Sequence, residues 1–270
     1  GVLRLAFSCL MRLDKDGNLT DYRFVKSVIC SRVKGVYSEI NALLAGTADA
    51  EIQAKYAEVL DQLPAMKELY GHRARLRKER GCMDIESGEV KLILDENGHC
   101  IDVKKRTSGE SEAMIEEFML LANKQVAEFC GHHKVNGRAV RRTMVYRVHD
   151  VPNEEKLEKF RTFVLRFGYV FKADKGRAVA KEMNKLLGQA KGRIEENVIS
   201  NLAVRAMSKA FYSTDNIGHY GLAFPYYTHF TSPIRRYPDM MVHRLLARYL
   251  EGGKSADRDT FEKLCVHASE

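Results

Sequence analysis

Three observations predict a mixed α+β fold. Residues 3–12 and 19–31 alternate apolar and polar around DKDGN, and residues 89–105 do the same around DENG. Six longer stretches instead repeat their apolar residues every three or four positions. Period two marks strands and period 3.6 marks helices, so antiparallel hairpins and packed helices share one chain. No internal repeat or low-complexity linker divides the 270 residues, which predicts one mixed domain.

The first hairpin turns at Gly17. The acids of DKDGN also invite a calcium-loop reading, but Gly17 comes too early after Asp14 and no bidentate Glu follows at the required place. From Ala50 to Arg80 the stripe Ile52, Tyr56, Leu60, Leu63 continues past Pro64 as Met66, Leu69, Tyr70, which predicts a helical pair or one kinked helix. It ends in GHRARLRKERG, whose cations either solvate a face that complements the helix dipole or touch RNA directly. Asn97-Gly98 supplies the second hairpin turn. A helix follows over 111–129, then a strand over 143–148. Helices are predicted over 153–167, 175–189, 193–211 and 233–251.

Composition narrows the partners. With 44 Lys+Arg against 36 Asp+Glu the formal net charge is +8, a balance that favours polyanions. The six cysteines lie far apart with no C-x-x-C pair, which points away from a disulfide framework or zinc ribbon and towards a reducing cytosol. There is no apolar run of membrane-spanning length. The opening GVLRLAFSCLMRL reads like the middle of a strand, so the chain is expected to be an internal fragment.

One segment raises a physical question. In YYTHFTSPIRRYPDMMVHR, Ser232 and Pro233 read as a helix cap and first residue, yet Arg235 and Arg236 follow where the helix end is already positive. A bound phosphate would turn that penalty into a charge-assisted site. Tyr226, Tyr227, His229, Phe230 and Tyr237 would add aromatic faces for single-stranded nucleic acid, or else they are core. Pro238 offers a competing helix start, with 233–237 as a preceding turn. Elsewhere Glu116 and Glu117 read as acids near a helix N-terminus, Asp215 and Asp239 as isolated, and Cys130, His132 and His133 lack a fourth metal ligand.

FYSTDNIGHYGLAFPYYTHFTSPIRRYPDMMVHRLL resembles the C-terminal signature of the ribonuclease II/ribonuclease R family, including its bacterial ribonuclease R members. AMIEEFMLLAN resembles the family's I-E-E-x-M-x-x-A-N helix, YRVHDVPNEEKLEKF its R-x-H-D-x-P segment, and LRLAFSCLMRL one of its strands. These matches keep the family's order along nearly the whole chain.

The resemblance implies an RNB-type α+β domain around a channel for one RNA strand. It implies 3′-to-5′ processive hydrolysis of single-stranded RNA to nucleoside 5′-monophosphates, with Mg²⁺, by a monomer in the cytoplasm. Arg235 falls on the family's scissile-phosphate arginine. Glu116 falls on a glutamate near the terminal nucleotides, and Tyr37 on a tyrosine lining the RNA path. His229, Ser232 and Tyr237 lie inside the signature as further RNA contacts. Ile85 replaces a stacking phenylalanine, and the metal-binding aspartates and flanking oligonucleotide-binding modules lie outside this chain. The fragment alone is therefore expected to bind RNA weakly without cleaving it. The alternative is a catalytically inactive RNB-like binder.

Overall fold

In a computed structural model, described for residues 1–83, 90–105, 108–132, 134–135, 137–173 and 176–270, the chain forms two compact units. The first comprises residues 1–78 and 108–123, the second residues 79–107 and 124–270. Ile85 and His133 fall outside the described residues.

In the first unit β1 (Leu3–Leu13) pairs antiparallel with β2 (Leu19–Cys30), from Leu3↔Cys30 to Leu13↔Leu19. Gly17 turns the hairpin at φ +81, a left-handed conformation that suits a residue without a Cβ. The Asp14 carboxylate accepts the amides of Asp16 and Asn18 at 2.9 and 2.8 Å, so this acid serves the turn itself. Next come α1 (Tyr37–Leu44) and α2 (Ala50–Tyr56); Asp49 caps α2 by accepting from the Ile52 amide at 2.8 Å. A 3₁₀ turn over Leu60–Gln62 leads into α3 (Leu63–Arg80), making a helical pair of this region. Pro64 is tolerated as the second residue of α3, where its missing N–H costs nothing. Residues 110–123 of α4 (Glu110–Gly131) also belong here.

The second unit carries two ribbons, β3 (Val90–Leu94) with β4 (Cys100–Lys105) and β5 (Lys134–Val135) with β6 (Arg138–Ala139). A third pairs β7 (Tyr146–Val148) with β8 (Phe211–Ser213). Its helices are α5 (Glu154–Leu165), α6 (Arg177–Ala190), α7 (Glu196–Ala206), α8 (Tyr237–Leu250) and α9 (Arg258–His267).

The core follows from helical spacing. Leu157, Phe160 and Val164 of α5 meet Val179, Met183, Leu186 and Ala190 of α6 and Ile199, Ala203 and Ala206 of α7. Each large aliphatic or aromatic member contributes about 1.5–3 kcal/mol by leaving water. The β3–β4 ribbon behaves differently. Leu92, Leu94, Ile101 and Val103 lie on one of its faces and are all more than half exposed.

Candidate nucleic-acid interface

The segment from β8 to α8 is fixed before it presents anything. The Arg147 amide donates to the Tyr227 carbonyl at 3.0 Å, and Thr228, fully buried, donates its hydroxyl to the Val145 carbonyl at 2.6 Å. His149 receives the Gly221 amide on Nδ1 at 2.9 Å, while its Nε2 lies 2.8 Å from the Ser208 carbonyl and so carries the proton. A Cβ at Gly221 would stand 3.0 Å from that ring nitrogen, which leaves little room for another residue. His219 and Phe224 close the loop with paired backbone bonds, and Ala223 adopts φ +53 inside it.

Two members of the aromatic run are core. Tyr227 and Phe230 are buried; Tyr227 stacks on Phe224 with centroids 5.7 Å apart, and Phe230 stacks on His243 at 4.4 Å. For these two the core alternative holds, because their faces are already covered by protein. Tyr226 packs edge-on against His132. His229 is partly buried, with Tyr212 Oη 2.7 Å from its Nδ1. Burial first, then Arg236, Arg147 and Arg235, push its pKa down to about 3, so it is neutral near pH 7. Tyr237, by contrast, is exposed.

The helix start needs correction too. α8 begins at Tyr237 with Pro238 in its first turn, as the competing reading had it, and Ser232 does not cap it. Residues 232–236 form a turn whose Ser232 carbonyl accepts the amides of Arg235 and Arg236 at 3.3 and 3.0 Å. Two arginines on the first helical turn thus become two arginines ahead of it.

Asp239 is not isolated either. Its fully buried carboxylate accepts the Ser232 amide at 2.7 Å and Arg236 Nη2 at 3.0 Å, both on Oδ1. Arg236 Nε sits 2.9 Å from Oδ2, but its N–H is misaligned, so this is a charge contact rather than another hydrogen bond. An acid in the first helical turn also complements the dipole. Arg235 is exposed and makes no ion pair or side-chain hydrogen bond with any described residue.

In the first unit Tyr37 opens α1, half exposed, and its carbonyl accepts the Ser111 hydroxyl at 3.2 Å. Glu116 is exposed on α4. Arg77 Nη1 reaches both Glu116 and Glu117, at 3.0 and 2.9 Å. Glu117 is the buried member, because 114, 117 and 121 share one helical stripe with the buried Met114 and Leu121.

The cations of GHRARLRKERG follow neither expected reading at every third or fourth position. Arg73 is buried and donates to the Gly17 carbonyl at 3.1 Å, and Arg77 serves the two glutamates. In the second unit Arg80 donates to the Leu222 carbonyl at 3.1 Å and lies 4.1 Å over the Phe224 ring.

A divalent cation does not fit these residues. Among the described residues no three His, Cys, Asp or Glu side chains converge. Asp215, likewise not isolated, is held by Arg141 and Arg258, and Asp239 by Arg236. Cys130 is buried, and burial pushes its thiol up to about 12, the opposite of a metal-ready thiolate.

The RNB domain model matches residues 1–252. The chain belongs to the RNB domain family. Ribonuclease R of Thermotoga maritima is 40% identical over 250 residues, covering 92% of this chain and 34% of the relative. Ribonuclease R 1 of Lactococcus lactis is 36% identical over 271 residues, covering 98% of this chain and 32% of the relative. The chain thus spans about a third of the length of these RNB relatives. The structure of Mycoplasma genitalium RNase R in complex with ribose-methylated single-stranded RNA superposes with TM-score 0.85 at 26% identity, covering 99% of this chain and 41% of the other. This bears out the mixed RNB fold. Yeast Ssd1, described as a pseudonuclease, shares the fold at TM-score 0.71 and 21% identity, covering 99% of this chain and 32% of the other.

The resemblance to the family was legible in the signature itself. What reading by residue type missed were the partners: Asp239 for Arg236, Arg77 for Glu117, and the His149–His219 pair, whose rings lie 5.0 Å apart.

Proposed function

We propose that this chain is part of a 3′-to-5′ exoribonuclease that hydrolyses single-stranded RNA to nucleoside 5′-monophosphates, and that Arg235 binds the scissile phosphate. One observation carries the reading: of two adjacent arginines on a tethered turn, Arg236 is neutralised by a buried acid and Arg235 is left facing solvent without an acidic partner among the described residues. A guanidinium fork matches two phosphate oxygens and stabilises charge that develops there during hydrolysis.

The remaining roles follow from exposure. Tyr237 offers a ring to a base beside Arg235. His229, neutral and half-covered, shapes the wall and does not act as a proton carrier. In the first unit the Glu116 carboxylate, exposed despite its bond to Arg77, keeps acceptor capacity for a ribose 2′-hydroxyl, and Tyr37 lines the strand's path. Ser232 contributes through its backbone, since its amide belongs to Asp239. The proposed Mg²⁺ belongs to acids outside these residues, because the aspartates of the signature are committed to arginines. The protein is proposed to act as a cytoplasmic monomer, and this chain alone to bind RNA without cutting it.

A 5′-labelled single-stranded RNA incubated with Mg²⁺ and the full-length protein tests the reading. Stepwise shortening from the 3′ end, lost in Arg235→Ala while RNA binding persists, is expected. Equal rates in the two proteins would overturn the role of Arg235. RNA binding without hydrolysis by the unmutated protein would establish the inactive binder instead. Mg²⁺-dependent hydrolysis by the 270-residue chain would remove the claim that it is inactive alone.

A further inference from the structure

We infer that Asp239 is a positioning residue for Arg235: its buried carboxylate neutralises Arg236 and pins the Ser232 amide, so that only Arg235 of the two adjacent guanidiniums engages the phosphate. This rests on the proposed phosphate role of Arg235 and deepens it.

The geometry supports the assignment from both ends of the turn. Asp239 Oδ1 accepts the amide that begins the turn and the guanidinium that ends it, at 2.7 and 3.0 Å. The carbonyl of the same Ser232 receives the amides of Arg235 and Arg236, so the loop is closed by backbone and side chain together. Pro233 and Pro238 restrict the backbone before and after the arginines. Ile234, between the tethered Ser232 and Arg235, is fully exposed, and so nothing on that side of the turn packs it down. The orientation of Arg235 is therefore set by Asp239 rather than by contacts of its own.

Charge selection is the second half of the argument. Two neighbouring guanidiniums would otherwise compete for one phosphate, and a bidentate geometry tolerates little displacement. A carboxylate with no exposed surface interacts strongly with the nearer cation, Arg236, and little with a solvated one. Asp239 thus makes the two arginines unequal: one structural, one available.

The test is a double-mutant cycle in the full-length protein. Asp239→Asn keeps an oxygen that can accept the Ser232 amide but removes the charge that holds Arg236. In the Arg235 background it is expected to lower kcat by about tenfold to a hundredfold with a smaller change in KM. In the Arg235→Ala background the same substitution is expected to change kcat less than twofold, because the group it positions is gone. A loss of general stability would lower both backgrounds alike, and that result overturns the inference.

Should Asp239→Asn alone fail to fold, Arg236→Met/Asp239→Asn removes both charges of the pair and is read in the same two backgrounds. There, a kcat lowered about tenfold or more with Arg235 present but less than twofold in Arg235→Ala supports the assignment, and an unchanged kcat with Arg235 present, or additivity of the two lesions, overturns it. If Arg235→Ala itself leaves hydrolysis unchanged, the functional reading fails before the positioning claim is reached.

Discussion

The basic end of α3 and the turn before α8 look alike as strings and differ as structures. Arg73, Arg77 and Arg80 each have an internal partner, a carbonyl, a pair of glutamates, or a carbonyl and a ring. In the turn, Arg236 is occupied, and Arg235 has no partner among the described residues. Density of positive charge therefore does not mark an anion site. On the proposed reading, what marks it is a cation left over after the local acceptors have been allotted.

The largest test of that contrast sets Arg235→Ala against Arg77→Ala. Losing Arg235 is expected to lower kcat of the full-length protein by about a hundredfold to a thousandfold, the range for one transition-state donor, while leaving the melting temperature nearly unchanged. Losing Arg77 should do the reverse. Glu117, buried, would lose the guanidinium that faces it, which costs about 3 kcal/mol and is read as a shift in urea midpoint. Similar rate losses in both variants would erase the distinction.

Acid should sharpen it next, through the histidines around the signature. Burial, then His149 and Arg147, push His219 down to about 3, and His229 is also depressed to about 3. Both are neutral when folded and titrate near their ordinary value when unfolded. At pH above about 6.5 neither state is protonated and stability is at its plateau. As pH falls below that, the unfolded chain takes up protons that the folded chain refuses, so stability drops by about 1.4 kcal/mol per pH unit for each group until its folded pKa is reached. His219→Gln is expected to flatten the slope of midpoint against pH between 6 and 4. An unchanged slope would mean that this histidine is less enclosed than its contacts indicate.

Helix packing gives an effect of comparable size away from any charge. Met183→Ala, at a fully buried position between α5 and α7, should cost about 2–4 kcal/mol without altering RNA affinity in the folded protein. The smallest effect is expected at Ala223, whose φ of +53 is unfavourable for a residue with a Cβ. Ala223→Gly should be neutral or stabilising by a few tenths of a kcal/mol, about the strain relieved less the added freedom of the unfolded chain.

Local chemistry was the legible part of the molecule. Gly17 and Asn97-Gly98 announced both long hairpins, and the 3.6-residue stripes announced α3 to α8, because each signal lies within a few residues of what it specifies. Shorter elements escaped. α1, β8 and α9 are too brief for a period to emerge, and β8 is defined by pairing with β7 some sixty-five residues away. Nor does any local signal announce that the chain gathers into two compact units that interleave along the sequence.

Site residues divided along the same line. The competing helix start at Pro238 was readable from proline stereochemistry, and so it held against Ser232. The pairing of Asp215 with Arg141 and Arg258 was not, since no local rule joins residues so distant in sequence. Glu117 read from sequence only as an acid near a helix N-terminus; its burial beside Met114 and Leu121 and its pairing with Arg77 came from the structure.

The bare face of the β3–β4 ribbon has a practical consequence for work on the 270-residue chain. Four neighbouring aliphatic side chains in water form a surface that excluded salts drive together. Ammonium sulfate should therefore precipitate this 270-residue chain at concentrations that leave other basic proteins of its size in solution, and a mild detergent should reverse the turbidity. Light scattering against salt, run before any assay, would show which buffers report on the molecule and which on its aggregates.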